Sequence, residues 1–403
     1  MSAKMNVPEL RFGEFSGEWE EKRLNELGNF KNGLNKSKED FGHGFPFVNL
    51  MDVFGKDVVK NENFDLVNAN EKDLTLYNLK KGDILFIRSS VKREGVGETV
   101  LIREDLPNTT YSGFLIRFRE KKDNLDLLFK KYCFKTKIFR NHLLSLSTTS
   151  ANTNINQESL NRLKINLPLK LEQEKIASFL SSVDSKIEQL SKKKTLLEQY
   201  KKGVMQKFFS QTLRFKNDDG SEFPEWVEKK LGEVSIITMG QSPDSSSYNT
   251  DNDGVPLIQG NADIKDRKTN PRQSTNKPTK MCEIDNLILT VRAPVGAIAK
   301  CFHNACMGRG VCSIKNNKFS NIEFLYQFLL DFEKKWISLE QGSTFTAVSS
   351  NDIKSLKINL PSLKEQTKIA NFLSSLDKKI ELTDKELNAT KEFKKALLQK
   401  MFV

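Results

Sequence analysis

The residues of this chain whose types and spacing could do chemistry fall in three places, and each stops short of a complete site. Pro243-Asp244 and the triplet Asp263-Ile264-Lys265 have the carboxylates and amine with which a nuclease binds Mg²⁺ and orients water, but the first half of the chain has no equivalent. Gly28-x4-Gly33 is followed by Leu34-Asn35-Lys36-Ser37, which misses the Gly-Lys-Ser/Thr run that cradles phosphate. Cys301-x-His303-x2-Cys306-x5-Cys312 carries zinc-ligand types at a spacing that fits no familiar zinc module; the rival reading is thiols packed as small apolar groups. With Cys133 and Cys282 they make an odd set of five and include no C-x-x-C pair, the usage of reduced thiols rather than of a disulfide framework. His43, His142 and His303 are scattered, and neither an Asp/Asn-Pro-Pro-aromatic motif nor a glycine-rich methyl-donor loop is present. The expectation is a chain with no catalytic residues, metal or cofactor of its own.

What the chain does offer is polar groups suited to DNA. Arg88, Ser89 and Ser90 with Lys92 and Arg93 lie in one stretch, and Gln241, Ser242, Gln259, Asn261 and Arg292 in others. Arginine pairs bidentately with guanine, and glutamine or asparagine with adenine; a solvated or structural role is an equal rival at each position. Arg88 and Arg292 occupy matching places in the two halves, which assigns them to the scaffold or to a phosphate rather than to choice of sequence. Charge agrees with a polyanionic partner, since 64 Lys and Arg against 52 Asp and Glu leave +12. The excess is spread, with no basic tail, so a nucleic-acid surface must be made by folding. No apolar run approaches the roughly 20 residues of a membrane span, and the opening MSAKMNVPELRFGEF has no apolar signal core. A cytoplasmic chain without a membrane partner is expected.

A long internal repeat positions these groups. Residues 163–188 align without gaps on 356–381, identical at 19 of 26 positions at an offset of 193. A second echo opens each half: Leu10-Arg11-Phe12 with Gly17-Glu18-Trp19, and Leu213-Arg214-Phe215 with Pro224-Glu225-Trp226. Between these markers only a skeleton is shared, Phe45-Pro46-Phe47 against Val255-Pro256-Leu257 and residues 84–88 against 288–292. Closely copied ends and divergent middles read as a frame carrying two interchangeable modules. The boundaries are a first module at 1–160, a helical spacer at 161–212, a second module at 213–355 and a second spacer at 356–403.

After Pro168 and after Pro361 the pattern is helical. Ile176, Leu180, Val183, Ile187, Leu190 and Leu197 in the first copy, and Ile369, Leu373, Leu376, Ile380, Leu387 and Leu397 in the second, keep the three-and-four spacing of a coiled-coil seam. Thr383, Thr390 and Lys394 interrupt the second stripe. Proline just ahead of each run suits a first turn, whose N–H would be unpaired anyway. Each stripe needs a partner, and the other helix is the most economical one, so an antiparallel coiled coil with pseudo-two-fold symmetry is expected; the rival is two amphipathic helices, each packed on its own module. Such a frame would hold two unlike modules at a fixed spacing, the logic of a dimeric DNA reader with a split, non-palindromic target.

The modules themselves, about 20–160 and 228–345, show short β-type runs at 45–50, 84–87, 115–118 and 287–291, a turn-rich stretch at 240–249, and helical ends at 125–144 and 322–339. The fold class is α+β, two mixed α/β modules separated by two long repeated helices.

At these residues the chain resembles the specificity (S) subunit of type I restriction-modification systems over essentially its full length. The resemblance rests on the paired LKINLP, EQ, KIA and FLS segments, the LRF openings followed by Trp, the run from Gly240 to Ile264 that includes GQSPDSSSYN and GVPLIQGNADI, and TVRAPVG at 290–296. It implies two target-recognition domains, each reading one half of a bipartite, asymmetric double-stranded DNA site, with the two helices as a ruler between them. It further implies two methyltransferase (M) subunits that carry S-adenosylmethionine and methylate adenine, and two restriction (R) subunits that use ATP and Mg²⁺ to translocate and cut. The S chain is non-catalytic and positions them. Contacts with the M subunits map onto the repeated helices and onto 147–153 and 343–346. The first module departs from the second in having Asn32-Gly33-Leu34-Asn35 where the other has its GQSPDSS run. Two other readings stay open: a stand-alone, repressor-like DNA-binding protein, which two copies of one outer helical face disfavour, and the metal-dependent nuclease of Asp244 and Asp263.

Overall fold

The computed structural model describes residues 6–149, 152–341 and 347–403. They form two compact units, Met1–Ser191 together with Glu386–Val403, and Lys192–Lys385. Among the described residues no helix is long and apolar enough to cross a membrane.

In the first unit the apolar run Ile84–Ile87 becomes a central strand of a five-stranded sheet ordered Gly28–Asn32, Leu115–Glu120, Ile84–Ile87, Thr99–Ile102, Val58–Val59. Successive side chains of a strand point to opposite faces, so Ile84 and Phe86 enter the core that also holds the long helices, while Leu85 and Ile87 enter a second core with Val48, Val100 and Tyr111. Burial on both faces explains why this strand reads as continuously apolar rather than alternating.

The second unit repeats the plan. Ser235–Met239, Val311–Asn316, Leu287–Thr290 and Ile298–Lys300 follow one another as antiparallel neighbours. Leu287 and Leu289 face the helix-bearing core and Ile288 the other. A second small sheet flanks the first in each unit, with Phe41–Val48 parallel to Thr110–Tyr111 in one and Val255–Ile258 parallel to Ala305–Met307 in the other.

Some local expectations change. The run at 45–50 ends as a strand at Val48, because Asn49 caps a short helix, Leu50–Val53, by accepting the N–H of Leu50 at 2.8 Å. The helical stretch at 125–144 is two helices, Lys130–Cys133 and Lys137–Ser145, restarted where Thr136 Oγ1 caps the N–H of Phe139 at 3.2 Å.

The long helices are Lys170–Phe209, 40 residues, and Leu363–Lys400, 38 residues, or about 60 and 57 Å of rise. In the first unit Ile176, Leu180 and Val183 share a core with Leu397, Met401 and Phe402 and with Phe129 and Tyr132 of the module. In the second, Val204 and Phe208 share one with Ile369, Leu373, Leu376 and Phe324. Each such fully buried Leu or Ile contributes about 2 kcal/mol, so the stripe is at once a helix seam and a wall of each module's core. Leu190 and Leu387 are buried, while Ile187, Leu197 and Ile380 are half-buried. Ion pairs run in the antiparallel sense: Asp184–Lys394 at 2.7 Å and Lys186–Glu386 at 2.9 Å in the first unit, Lys194–Asp384 at 2.7 Å and Lys201–Asp377 at 2.6 Å in the second. Thr383 stays buried in the stripe because its hydroxyl donates to the Lys379 carbonyl at 2.8 Å.

Pro168 and Pro361 stand two residues outside their helices rather than in the first turn. Their carbonyls accept the side-chain amides of Gln173 at 3.0 Å and Gln366 at 2.8 Å, both glutamines being buried.

Candidate nucleic-acid interface

In the second unit the candidate side chains gather round one turn, 307–310. The N–H of Gly240 donates to the Val311 carbonyl at 3.0 Å, and a Cβ at Gly240 would lie 2.1 Å from the Gly308 oxygen; only a residue without a Cβ lets these backbones approach so closely. The next two residues are then fixed, Gln241 by its N–H on the Met307 carbonyl at 2.8 Å and Ser242 by its hydroxyl accepting from the Arg309 N–H at 3.1 Å. On the other side of the turn Gly308 donates to the Ile258 carbonyl at 2.8 Å, and the Gln259 N–H is held by Asp263 Oδ2 at 2.8 Å. Asn261 opens the 3-10 turn Asn261–Asp263. The Gly310 carbonyl accepts from Val291 at 2.9 Å, one residue before Arg292. Gln241, Asn261 and Arg292 are exposed, and Ser242 and Gln259 half-buried. Arg309, an exposed cation in the middle of this group, is missed by reasoning from residue type alone; its signal is an arginine held between two glycines.

The first unit builds the same turn at 111–114. Gly33 donates to Leu115 at 3.0 Å, Leu34 to Tyr111 at 2.8 Å and Ser112 to Val48 at 3.0 Å, and a Cβ at Gly33 would lie 2.1 Å from the Ser112 oxygen. Gly33-Leu34-Asn35 therefore stand where Gly240-Gln241-Ser242 stand. Ser89 and Ser90 form a short strand on Thr153–Asn154, and Lys92 and Arg93 follow it as exposed residues.

Arg88 and Arg292 are not equivalent. Arg88 donates to the Phe114 carbonyl at 2.8 Å and accepts from Ile155 at 3.0 Å; it is Val291 that repeats this, donating to Gly310 and accepting from Val348, both at 2.9 Å. Arg292 pairs with Ala347 as Ser89 pairs with Asn154. A slip of one residue reverses the face on which a strand residue lies. Arg88 is accordingly half-buried, its Nη1 3.4 Å from the Gly113 oxygen, while Arg292 is exposed. The shared position that assigned both to scaffold or phosphate does not exist.

The remaining chemical candidates are occupied locally. Asp244 accepts from the N–H of Ser246 at 2.9 Å and its hydroxyl at 2.6 Å, and these serine bonds hold its carboxyl below the ordinary range. Asp263 is buried and also pairs with Arg272 at 2.9 Å. The five thiols are buried; Cys282 and Cys301 lie 3.3 Å apart, Cys301 donates to the His303 carbonyl at 3.0 Å, and His303 Nδ1 lies 2.9 Å from Thr269 Oγ1. Among the described residues no three His, Cys, Asp or Glu converge as metal ligands. Of the segments expected to touch M subunits, 150–151 and 343–346 lie outside the described residues, while Ser147 donates to the Leu144 carbonyl at 2.7 Å and Thr153 is buried.

Comparison with known proteins agrees with this duplicated plan. The family model of the type I restriction modification DNA specificity domain matches residues 16–199 and 224–392. The chain is 32% identical to a Methanocaldococcus jannaschii protein assigned as the specificity subunit of type I restriction enzyme MjaX, over 98% of this chain and 95% of the relative. It is 23% identical to the MjaIX specificity subunit of the same organism, over 98% and 94%. Among solved structures it shares the fold of the type I restriction-modification S subunit of M. genitalium, with 18% identity, a TM-score of 0.61 and coverage of 98% and 99%. A chain from a structure on complex assembly and conformational transition of a type I system gives 22% identity and a TM-score of 0.60 over 94% and 96%. The chain belongs to the family of DNA specificity subunits of type I restriction-modification systems.

Proposed function

We propose that this chain reads a bipartite, asymmetric double-stranded DNA site, one half with each module, and positions two methyltransferase and two restriction subunits on it. The observation that carries this reading is the glycine-pinned turn that recurs in both units with different side chains mounted on it, Leu34 and Asn35 in one and Gln241 and Ser242 in the other. One backbone device carrying unlike polar groups suits two unlike half-sites. Arg88, Ser89, Ser90, Lys92 and Arg93 serve the first half, and Gln241, Ser242, Gln259, Asn261 and Arg292 the second. The chain acts without a catalytic residue, metal or cofactor of its own; S-adenosylmethionine belongs to the methyltransferase subunits, and ATP and Mg²⁺ to the restriction subunits. The setting is the cytoplasm. Methylome sequencing of cells with and without this chain tests the proposal: a split adenine-methylated motif disappears with the chain, and a methylome unchanged by its loss refutes the reading.

A further inference from the structure

We infer that Val91 determines specificity in the first half-site, through apolar contact with a thymine methyl group; this rests on the DNA-reading function proposed above. The two units differ in the length of one loop. Seven residues, 89–95, separate Arg88 from Val96, whereas three, 292–294, separate the equivalent Val291 from Val295. The flanks are otherwise alike. Gly97 donates to the Ile87 carbonyl at 2.7 Å and Gly296 to Thr290 at 2.9 Å, both glycines have positive φ, at +66° and +89°, and Val96 and Val295 are both buried. The longer loop is thus an addition to one reading module.

At its outer end stands Val91, 84% exposed, more than any other large apolar residue among those described. A single exposed apolar side chain is ordinary, but this one has an unusual setting. Lys92 and Arg93 beside it are exposed, and Ser89–Ser90 precede it as a polar strand. The loop is braced from behind: Arg140 Nη2 donates to the Glu94 carbonyl at 2.7 Å, and Gly95 donates to the Lys92 carbonyl at 3.0 Å. Gly95 is packed so closely that a Cβ there would lie 2.4 Å from Ser90 Oγ and 3.5 Å from the Phe54 ring. A tip held this way loses little freedom on binding. The neighbouring cations supply phosphate affinity that carries no sequence information. The branched apolar tip is left to report on the one apolar group a base pair shows in the major groove, the thymine methyl.

The test is the methylome of cells carrying Val91→Ser in the full chain, with Lys92→Ala alongside. Val91→Ser is expected to lower the preference for thymine at one position of one half-site by roughly tenfold, with the other half and the gap unchanged, which also shows that the variant folds. Lys92→Ala is expected to reduce methylation without altering the motif. A Val91→Ser motif identical to the wild type, or one relaxed in both halves, overturns the inference while leaving the DNA-reading function standing. Wild-type cells with no motif dependent on the chain would sink both.

Discussion

Arg11 holds Glu172 with two hydrogen bonds, Nε to Oε1 at 2.8 Å and Nη2 to Oε2 at 2.7 Å, fastening the opening segment of the first unit to the first turn of a long helix. Arg214 and Glu365 repeat the latch in the second unit at 3.1 and 2.9 Å. Both glutamates are buried. The latches differ: the Trp226 indole also donates to Glu365 at 3.1 Å and Arg214 also pairs with Glu225 at 3.4 Å, whereas the Trp19 indole nitrogen is buried with no partner among the described residues.

A buried carboxylate stripped of its cation costs about 3 kcal/mol or more. Arg11→Ala is therefore expected to destabilise the first unit by about 3 kcal/mol, and Arg214→Ala to cost the second unit less, because Trp226 still serves Glu365. Denaturant unfolding of the full chain, with hydrogen exchange to locate the loss, checks the order. Equal losses would mean that the indole bond contributes nothing.

Gly33 and Gly240 give a prediction that concerns the reading turns. Alanine at either must push backbone aside, for a loss of about 2 kcal/mol by overpacking, while Gly13, with nothing within 4 Å of an added Cβ, tolerates alanine. Gly240→Ala also displaces Gln241 and Ser242, so it is expected to blur one half of the methylated motif and not the other. Thermal melts paired with methylome sequencing separate the two effects.

Much of this architecture is legible in the sequence. Ile84–Ile87 and Leu287–Thr290 are strands because runs of four and of three apolar residues suit burial on both faces, and the seam residues from Ile176 to Leu197 keep a period that survives in both copies. The alignment of the two modules is legible in part: Phe45-Pro46-Phe47 and Val255-Pro256-Leu257 do correspond, since Val48 pairs with Tyr111 as Ile258 pairs with Met307, but 84–88 and 288–292 are one residue out of register. Two arginines suggested a match that the backbone bonds of Val291 refute, because a one-residue slip changes no composition yet reverses every face. Asn32-Gly33-Leu34-Asn35 does stand in the place of the GQSPDSS run, but the close backbone approach that Gly33 and Gly240 share is not legible, because the residues that follow each glycine have nothing in common.

Acid sensitivity follows from the cluster that ties the first module to the helices. Asp184 takes Lys394 at 2.7 Å, the Tyr132 hydroxyl at 2.8 Å and Lys131; Asp57 pairs with Lys135 and lies 3.5 Å from Lys394. Burial pushes both carboxyls up, but the surrounding lysines outweigh it and hold both below the ordinary aspartate range. Depressed folded values mean stability that is present above the unfolded aspartate value, about 3.9, and lost as pH falls through the folded ones. Urea unfolding between pH 6 and 3 is expected to show the first unit weakening below about pH 4. Asp184→Asn should flatten that dependence while lowering stability at pH 6; an unchanged acid slope would remove the cluster from the account.

Leu190 and Leu387 are buried next to the points where each helix passes from one compact unit to the other, after Ser191 and before Glu386. Seven residues make close to two helical turns, so a heptad inserted after Ser191 with a matching one between Lys385 and Glu386 keeps the apolar stripe in phase. It adds about 10 Å of rise, equal to roughly three base pairs of duplex. If the helices set the distance between half-sites, the methylated motif should gain about three unread positions while the bases in both halves stay the same. A five-residue insertion turns the stripe away from its partner and is expected to abolish methylation. A heptad variant whose gap is unchanged, or whose half-sites change in sequence, would mean that these helices do not measure the site.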